Sequence, residues 1–459
     1  MIIVGNSLPF IKDYIDSLNL CMKKLGDDKG LTGLQCCWLR FVLLGLLVTN
    51  SLCWERFKRF SLGEYKTAGM CWMFRKARIA WEILLQASVT HIIEKYDIKS
   101  GILVVDDTDQ ERSKNTTEIA KVHKIKDKRS GGFFNGQNLV FLLLVSRGLT
   151  IPVGFKFYEP DPEVREWRIR YAKLREKGVA REHRPKKPEK NEQYPDKKEL
   201  AVSLIKDFAE RYKFIKIIGV VADAFYGKSM FVGDVESVGI KQIVSQIAKT
   251  QLIQVNGKYV KVGEFFESYG GKTEEIELRD GNKKKVTYVG GKFKVKSHDR
   301  KYWIIGVKYD GEEEYRFLIA SDMTWRDVDV IKAYATRWLV EVFIQDWKSY
   351  EGWANLAKQR GDIGSDRGVI LSLLCDHMLY FHEENLVSFK DNKSAVTVGS
   401  LRAKISMESL ITFVGDIVKS DNPGALFAEL AAKASELFAL RSSTKHLQNF
   451  TQFETFCTA

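Results

Sequence analysis

A mixed α/β core with an inserted all-β module, flanked by helical regions at both ends, is the fold class that this 459-residue sequence predicts. Three observations lead to it. Apolar residues recur at helical spacing near both ends, two short apolar runs terminate in acids at residues 106 and 223, and hairpin turns crowd the stretch from about 250 to 320. The length asks for about two to four domains of roughly 100–200 residues. With 45% hydrophobic and 29% charged residues, wholesale disorder, collagen-like repeats and a disulfide scaffold are excluded.

Residues 1–95 read as helices, from Phe10, Tyr14, Leu18 and Met22 through Leu39, Leu43, Leu46 and Leu47 to Ile79, Ile83 and Leu84. Ile102–Val105 is a buried strand by its β-branched run, and Asn138–Val145 and Ile151–Phe157 form a hairpin through Arg147-Gly148. Residues 159–199 hold five of the eight prolines, and 165–198 carry 13 Lys/Arg against 6 Asp/Glu. Such a stretch buries little and reads as a solvated basic excursion. Leu200–Phe208 is an amphipathic helix, and Ile215–Ala222 a strand that ends at Asp223. Turns at Asn256-Gly257, Asp280-Gly281, Gly290-Gly291 and Asp310-Gly311 then mark the all-β insertion. After Trp325 the pattern is helical almost to the end.

Charge gives the first functional direction. Lys and Arg outnumber Asp and Glu by 72 to 59, a net charge of +13 that suits a polyanionic partner. Seven cysteines, with no C-x-x-C pair, point to a reducing compartment without zinc. Phe41–Val48 falls far short of the ~20 apolar residues of a membrane span, and the N-terminus lacks a secretory pattern, so the expected location is intracellular. There is no G-x4-G-K-[ST] phosphate loop, so no nucleotide cofactor is expected. His377 and His382 stand five apart, off a shared helix face, and are expected to be structural.

Asp106 (with Asp107 beside it) and Asp223 stand at the C-terminal ends of central strands, where an α/β sheet opens toward ligands. Carboxylates there are costly unless solvated, hydrogen-bonded or holding a cation. The helix expected from about Asp327 carries Tyr334, Arg337, Glu341 and Lys348. At about 100° per residue the four lie in a stripe roughly 60° wide, with Leu339, Phe343 and Trp347 opposite. An acid, two cations and a phenol in line can reach a metal and hold phosphates. A simple Arg337–Glu341 helix pair accounts for two of the four.

The spacing Tyr334-x2-Arg337-x3-Glu341-x6-Lys348 resembles, residue for residue, the YREK signature of bacterial insertion-sequence transposases of the IS-4 type, in the RNase H-like DDE superfamily. Asp106-Asp107-Thr108 and Val221-Ala222-Asp223 are similar to that superfamily's first two acid motifs. A β-rich stretch before the glutamate is a further shared trait. The resemblance covers roughly residues 100 to 360. Asp106 fits the Asp-x-Thr form and Asp107 a variant in which the acid directly precedes Thr. Successive strand residues face opposite ways, so one of them is the ligand.

The resemblance implies an RNase H-like catalytic core at 96–248 and 322–385, with the basic excursion 159–199. A β-rich insertion at 249–321 interrupts it, a helical DNA-binding region precedes it at 1–95, and a helical region with a possible dimerisation role follows at 386–459. It implies two Mg²⁺ ions per site, replaceable by Mn²⁺, held by Asp106, Asp223 and Glu341. Tyr334, Arg337 and Lys348 would hold phosphates, and Arg112, Lys114, Lys124, Lys126, Lys128 and Arg129 would line the DNA path. Phe317, Trp325 and Trp303 are the candidates for stacking a flipped base. The implied activity is cut-and-paste transposition, with metal-dependent phosphodiester cleavage, a hairpin intermediate and 3′-hydroxyl joining. The implied partners are double-stranded DNA (terminal inverted repeats and target) and a second copy of the chain, without a membrane, in the bacterial cytoplasm at the nucleoid. A catalytically silent DNA-binding descendant and an RNase H-like nuclease that cuts without joining are the alternatives.

Overall fold

Among the described residues the first five elements are helices: α1 (Pro9–Lys24), α2 (Gly33–Thr49), α3 (Trp54–Phe60), α4 (Thr67–Arg75) and α5 (Trp81–Lys95). The computed structural model describes residues 8–26, 30–113, 116–127, 130–278, 283–353, 359–391 and 393–440. α2 starts at a capping box in which Thr32 accepts from the Gln35 N–H and Gln35 reaches back to the Thr32 N–H. It is apolar on nearly every side because it is buried, and no single described helix is long and apolar enough to cross a membrane. α2 and α3 together pass that test by composition but meet at 93°. These helices share one continuous hydrophobic core with the sheet, so region 1–95 is packed onto the rest of the chain.

The next elements are β1 (Ser100–Glu111), β2 (His123–Lys126), β3 (Phe133–Ser146), β4 (Leu149–Tyr158), α6 (Pro162–Glu176), α7 (Lys197–Arg211), β5 (Lys216–Ala222), α8 (Ser229–Ser237) and β6 (Ile243–Gln246). β3 and β4 form the expected hairpin, with Ser146 opposite Leu149 and positive φ at Arg147 and Gly148, as a two-residue primed turn requires. β1 lies antiparallel to β3 and parallel to β5, which is parallel to β6. Val105 pairs with Ala222, where β5 ends just before Asp223. β1 instead runs on past the expected end at Asp106 to Glu111, paired with β3, so Asp106 lies within its strand beside the end of β5.

The excursion is more ordered than its composition suggests. It contains α6, which buries no residue at all. Its signal is in the caps: Asp161 accepts from the Glu163 and Val164 N–H groups, and Pro162 occupies the first turn.

The insertion holds β7 (Leu252–Val255), β8 (Lys258–Lys261), α9 (Val262–Glu267), β9 (Lys272–Glu277), β10 (Lys283–Val295), β11 (Arg300–Tyr309) and β12 (Arg316–Ala320). It departs from an all-β module in two ways: it includes the short helix α9, and it is not a separate sheet. β12 pairs antiparallel with β6, so among the described residues one sheet of twelve strands runs through core and insertion, in the order β2-β3-β1-β5-β6-β12-β11-β10-β7-β8, with β4 also paired to β3 and β9 to β10. The joint is made by buried Leu318, Ile319 and Ala320 against Val244 and Ser245. Asn256-Gly257 forms its hairpin turn, and Asp310-Gly311 sits between β11 and β12. Gly290-Gly291 instead lies within β10, where a Cβ on Gly290 would fall 2.3 Å from the Asp327 carboxylate. The turn expected at Asp280-Gly281 lies outside the described residues.

The chain continues through α10 (Asp327–Ala335), α11 (Trp338–Tyr350), α12 (Gly361–Leu379), α13 (Glu383–Lys390), α14 (Val398–Val418) and α15 (Pro423–Leu437). The expected boundary between 385 and 386 falls inside α13. Leu103 and Val105 enter the core beneath α5, α7 and α12, while Val104 enters the second core beneath α10 and α11. α12 runs through the interior. Its His377 is sealed between Ser88 Oγ (2.7 Å) and the Pro152 carbonyl (2.9 Å), and burial holds its pKa down at about 4. Glu351, just after α11, is fully buried beside Asp376 of α12, with no donor against either Glu351 oxygen among the described residues. His382 caps α13 by accepting from the Glu384 N–H.

Candidate active site

Two acids form the floor of the site. Asp106 has only 14% of its side chain exposed, and its Oδ1 accepts from the Asp107 N–H at 2.8 Å. Its carboxyl is pushed up to about 7, first by burial and then by the negative charges of Asp223 and Asp107. Asp223 Oδ1 accepts from the Phe225 N–H at 2.9 Å, while the Ser245 hydroxyl donates to the Asp223 carbonyl at 2.7 Å. Burial raises the Asp223 pKa as well. The turn after Asp223 passes so close over β6 that a Cβ on Gly227 would lie 2.7 Å from Ser245 Oγ and 2.8 Å from the Gln246 carbonyl. Only glycine fits such an approach.

Opposite the acids, the helix expected to be continuous from Asp327 to Lys348 is broken. Between α10 and α11 the N–H groups of Thr336, Arg337, Leu339 and Val340 bond three residues back, a local tightening that turns the polar stripe. Arg337 sits at this break. Its Nη2 lies 2.5 Å from Glu341 Oε1 and its Nη1 3.4 Å from Asp106 Oδ2. The guanidinium carbon is 5.9 Å from the centre of the Tyr334 ring, whose hydroxyl is pushed up to about 12 by burial. Lys348 donates to the Asp109 carbonyl. Val340, Phe343 and Trp347 are the buried side of α11, with Phe343 and Trp347 packed on Phe141 of β3.

Asp107 turns to the other face of β1. There Lys197 Nζ lies 2.6 Å from its Oδ2, and Asn138 Nδ2 donates to it at 3.1 Å and also to Asp109. The two candidate first acids are thus separated by the strand: Asp106 meets the Arg337–Glu341 pair, and Asp107 meets the excursion. Tyr226 is fully buried behind them, its hydroxyl pKa raised by burial and then by Asp107, Asp106 and Asp223.

An oxygen-only donor set suits a hard divalent cation. Asp106 and Asp223 fit as a ligand pair, since both are partly buried carboxylates whose pKa is raised by burial and by neighbouring acids despite Arg337 beside them. Glu341 does not join them, because its carboxylate is turned to Arg337. Among the described residues no three His, Cys, Asp or Glu side chains are grouped as metal ligands.

The predicted DNA-path cations divide sharply. Arg112 is 6% exposed, donates to Gln137 Oε1 at 3.0 Å and covers the Trp353 ring at 4.9 Å, so it is a packing residue and cannot line a DNA path. Lys124 and Lys126 are exposed on β2, at the sheet edge. Lys114, Lys128 and Arg129 lie outside the described residues. Among the stacking candidates, Phe317 is 5% exposed and packs on Phe266, which leaves no face for a base. Trp325 is half-buried, and half-buried Trp303 donates to Asp327 at 2.5 Å. The sequence reading missed Trp338. It is 48% exposed and lines a cleft of about 650 Å³ with Tyr334, Arg337, Lys285 and Arg316. Its signal was a tryptophan next to Arg337 that does not follow the apolar spacing. Lys197 and Asn138 were missed too, since only the paired strand and the folded excursion bring them to Asp107.

No family model and no curated protein matches the chain. Among solved structures it is similar to a piggyBac transposase synaptic complex with hairpin DNA. The TM-score is 0.43 and the identity 10%, over 98% of this chain and 87% of that one, a likeness too slight to argue from.

Proposed function

We propose that the chain is a DDE-type DNA transposase with an RNase H-like core of β4, β3, β1, β5 and β6, which cleaves transposon ends and joins them to target DNA. One observation carries this reading. Arg337 joins Asp106, from β1, to Glu341, on α11, beside the second strand-end acid, so residues far apart in sequence converge in the combination that phosphodiester chemistry needs. Asp106 is the first acid in this reading, and Asp107 supports the excursion.

Bound Mg²⁺ or Mn²⁺ would compensate the phosphate charge and acidify the attacking water. Asp106 and Asp223 would hold the ions, joined by Glu341 once Arg337 releases it. Arg337 is then free to turn its N–H groups to a non-bridging phosphate oxygen, and Lys348 and Tyr334 add donors on either side. The released 3′-hydroxyl would attack the opposite strand, closing a hairpin and expelling the flanking DNA. A second water would open the hairpin and regenerate the 3′-hydroxyl, which would then attack a target phosphodiester and displace a target 3′-hydroxyl, with no covalent bond to the protein. Two copies of the chain process the two ends together.

The test uses labelled duplex bearing the terminal inverted repeats that flank the gene, with Mg²⁺ or Mn²⁺ and either the parent or Glu341→Ala. Metal-dependent nicking at the repeat boundary and joining to a second duplex, both lost in the variant, are expected. Cutting without joining would point to a nuclease. The hold of Arg337 on Glu341 favours a second reading, a silent DNA-binding descendant, in which both proteins bind paired ends and neither cuts.

A further inference from the structure

On the face of β1 that Asp107 takes, a cleft of about 1060 Å³ reaches Asp223 but is not used by the proposed chemistry. Asp107 and Asp223 stand at its inner end, β2 and the start of β3 form one wall, and α6 with residues 187–199 forms the other. Two features of its lining go together. Lys124, Lys126, Arg165, Arg168 and Lys187 face it with no ion pair to any described residue. Four of its seven acids already have partners: Asp107 pairs with Lys197 and Glu199 with Lys190 in the lining itself, and Asp161 and Asp196 cap the N-termini of α6 and α7. Between the cations lies apolar surface that folding leaves uncovered, with Phe133 68%, Ile169 51% and Phe225 43% exposed.

Unpaired cations call for a polyanion, and uncovered rings call for flat apolar faces. A duplex satisfies the first demand but turns its bases inward, so an apolar floor adds nothing to its binding. An unpaired strand satisfies both, with phosphates on the cations and bases on the rings. We infer that this cleft binds unpaired DNA, a few nucleotides of the strand that runs past Asp223. The inference rests on the proposed DNA chemistry of Asp106 and Asp223. The wall is preformed even though α6 buries nothing: Trp167 donates to the Pro185 carbonyl at 2.8 Å, and Arg184 donates to the Val179 carbonyl at 2.8 Å while covering Tyr171 at 5.2 Å. Charge changes on its exposed face therefore leave the core untouched.

The test measures fluorescence anisotropy with the full chain, without divalent cations, using a labelled oligothymidine of about ten nucleotides and a duplex of similar length. Arg165→Glu with Arg168→Glu should weaken the single strand at least about tenfold and lower its salt slope by about 1.4, the share of two phosphates. Phe133→Ala should weaken the single strand about fivefold or more through lost stacking, with duplex affinity moving less than about twofold. Equal losses for both probes, or an unchanged single strand, would overturn the cleft. Nicking by the parent on repeat-bearing DNA separates the two ideas. Strand binding through the cleft by a protein that cuts nothing leaves the cleft standing and removes the transposase, whereas cutting without strand-selective losses removes the cleft alone.

Discussion

Asp106 with Asp223, and Glu351 with Asp376, are two pairs of buried acids with raised pKa values, and they do opposite things. The first pair lies where the parallel pairing of β1 and β5 stops, with Asp106 facing Arg337 and Asp223 reaching an open cleft. The second is sealed between the end of α11 and α12, where no donor meets either Glu351 oxygen among the described residues and burial favours the protonated form of both acids. A raised carboxyl pKa thus records burial and neighbouring negative charge, in either setting. Access and nearby counter-charge separate a reactive pair from a structural one.

Substitutions can break this contrast. The largest effect is expected from Asp106→Asn, which should slow metal-dependent nicking about a thousandfold or more while leaving the melting temperature equal or higher, because a poorly compensated buried charge is removed. Loss of both activity and fold would place the pair with the structural acids. Asp376→Asn should do the reverse, leaving nicking intact and changing stability with pH. The Asp376 pKa is about 7 in the fold against 3.8 in the free chain, so the fold retains a proton that the unfolded chain releases. Its cost is absent below the lower value, grows as pH rises between the two, and is complete above the upper. Urea titrations should therefore show the variant gaining most over the parent at alkaline pH, and a constant difference across pH would refute the assignment.

Cations repeat the contrast on a smaller scale. Arg112→Met should cost about 1–3 kcal/mol in urea unfolding, from the lost Gln137 bond and Trp353 contact, with the salt slope of DNA binding unchanged. Lys124→Ala with Lys126→Ala should leave stability within about 0.5 kcal/mol and lower DNA affinity severalfold, with a shallower salt slope. An unchanged slope would remove β2 from the binding surface.

The site was legible where local pattern and tertiary position agree. An apolar β-branched run that ends in an acid identifies Asp106 and Asp223, since a central strand needs the first and a sheet opening tolerates the second. Asp106 and Asp107 could not be told apart from sequence, because the face each takes depends on which strand face α11 covers. The break between α10 and α11 escaped for a related reason. Its residues have ordinary helical character, and Arg337's contacts with Asp106 and Glu341 accompany a turn that periodicity does not record. α6 was hidden because it has no apolar face, although Asp161-Pro162 marks its start. The β12–β6 joint was hidden because it links short strands distant in sequence.

That joint has a practical consequence for anyone reshaping the molecule. β6 has only four residues, and it is hydrogen-bonded on one side to the strand that ends at Asp223 and on the other to the insertion. Deleting residues 249–321 would therefore not yield a trimmed catalytic domain. It would strip one side of β6, leaving its backbone N–H and C=O groups unpaired next to the second acid as an edge ready to pair with another chain. Minimised or grafted versions of this protein should keep the whole sheet or carry a designed strand in place of β12.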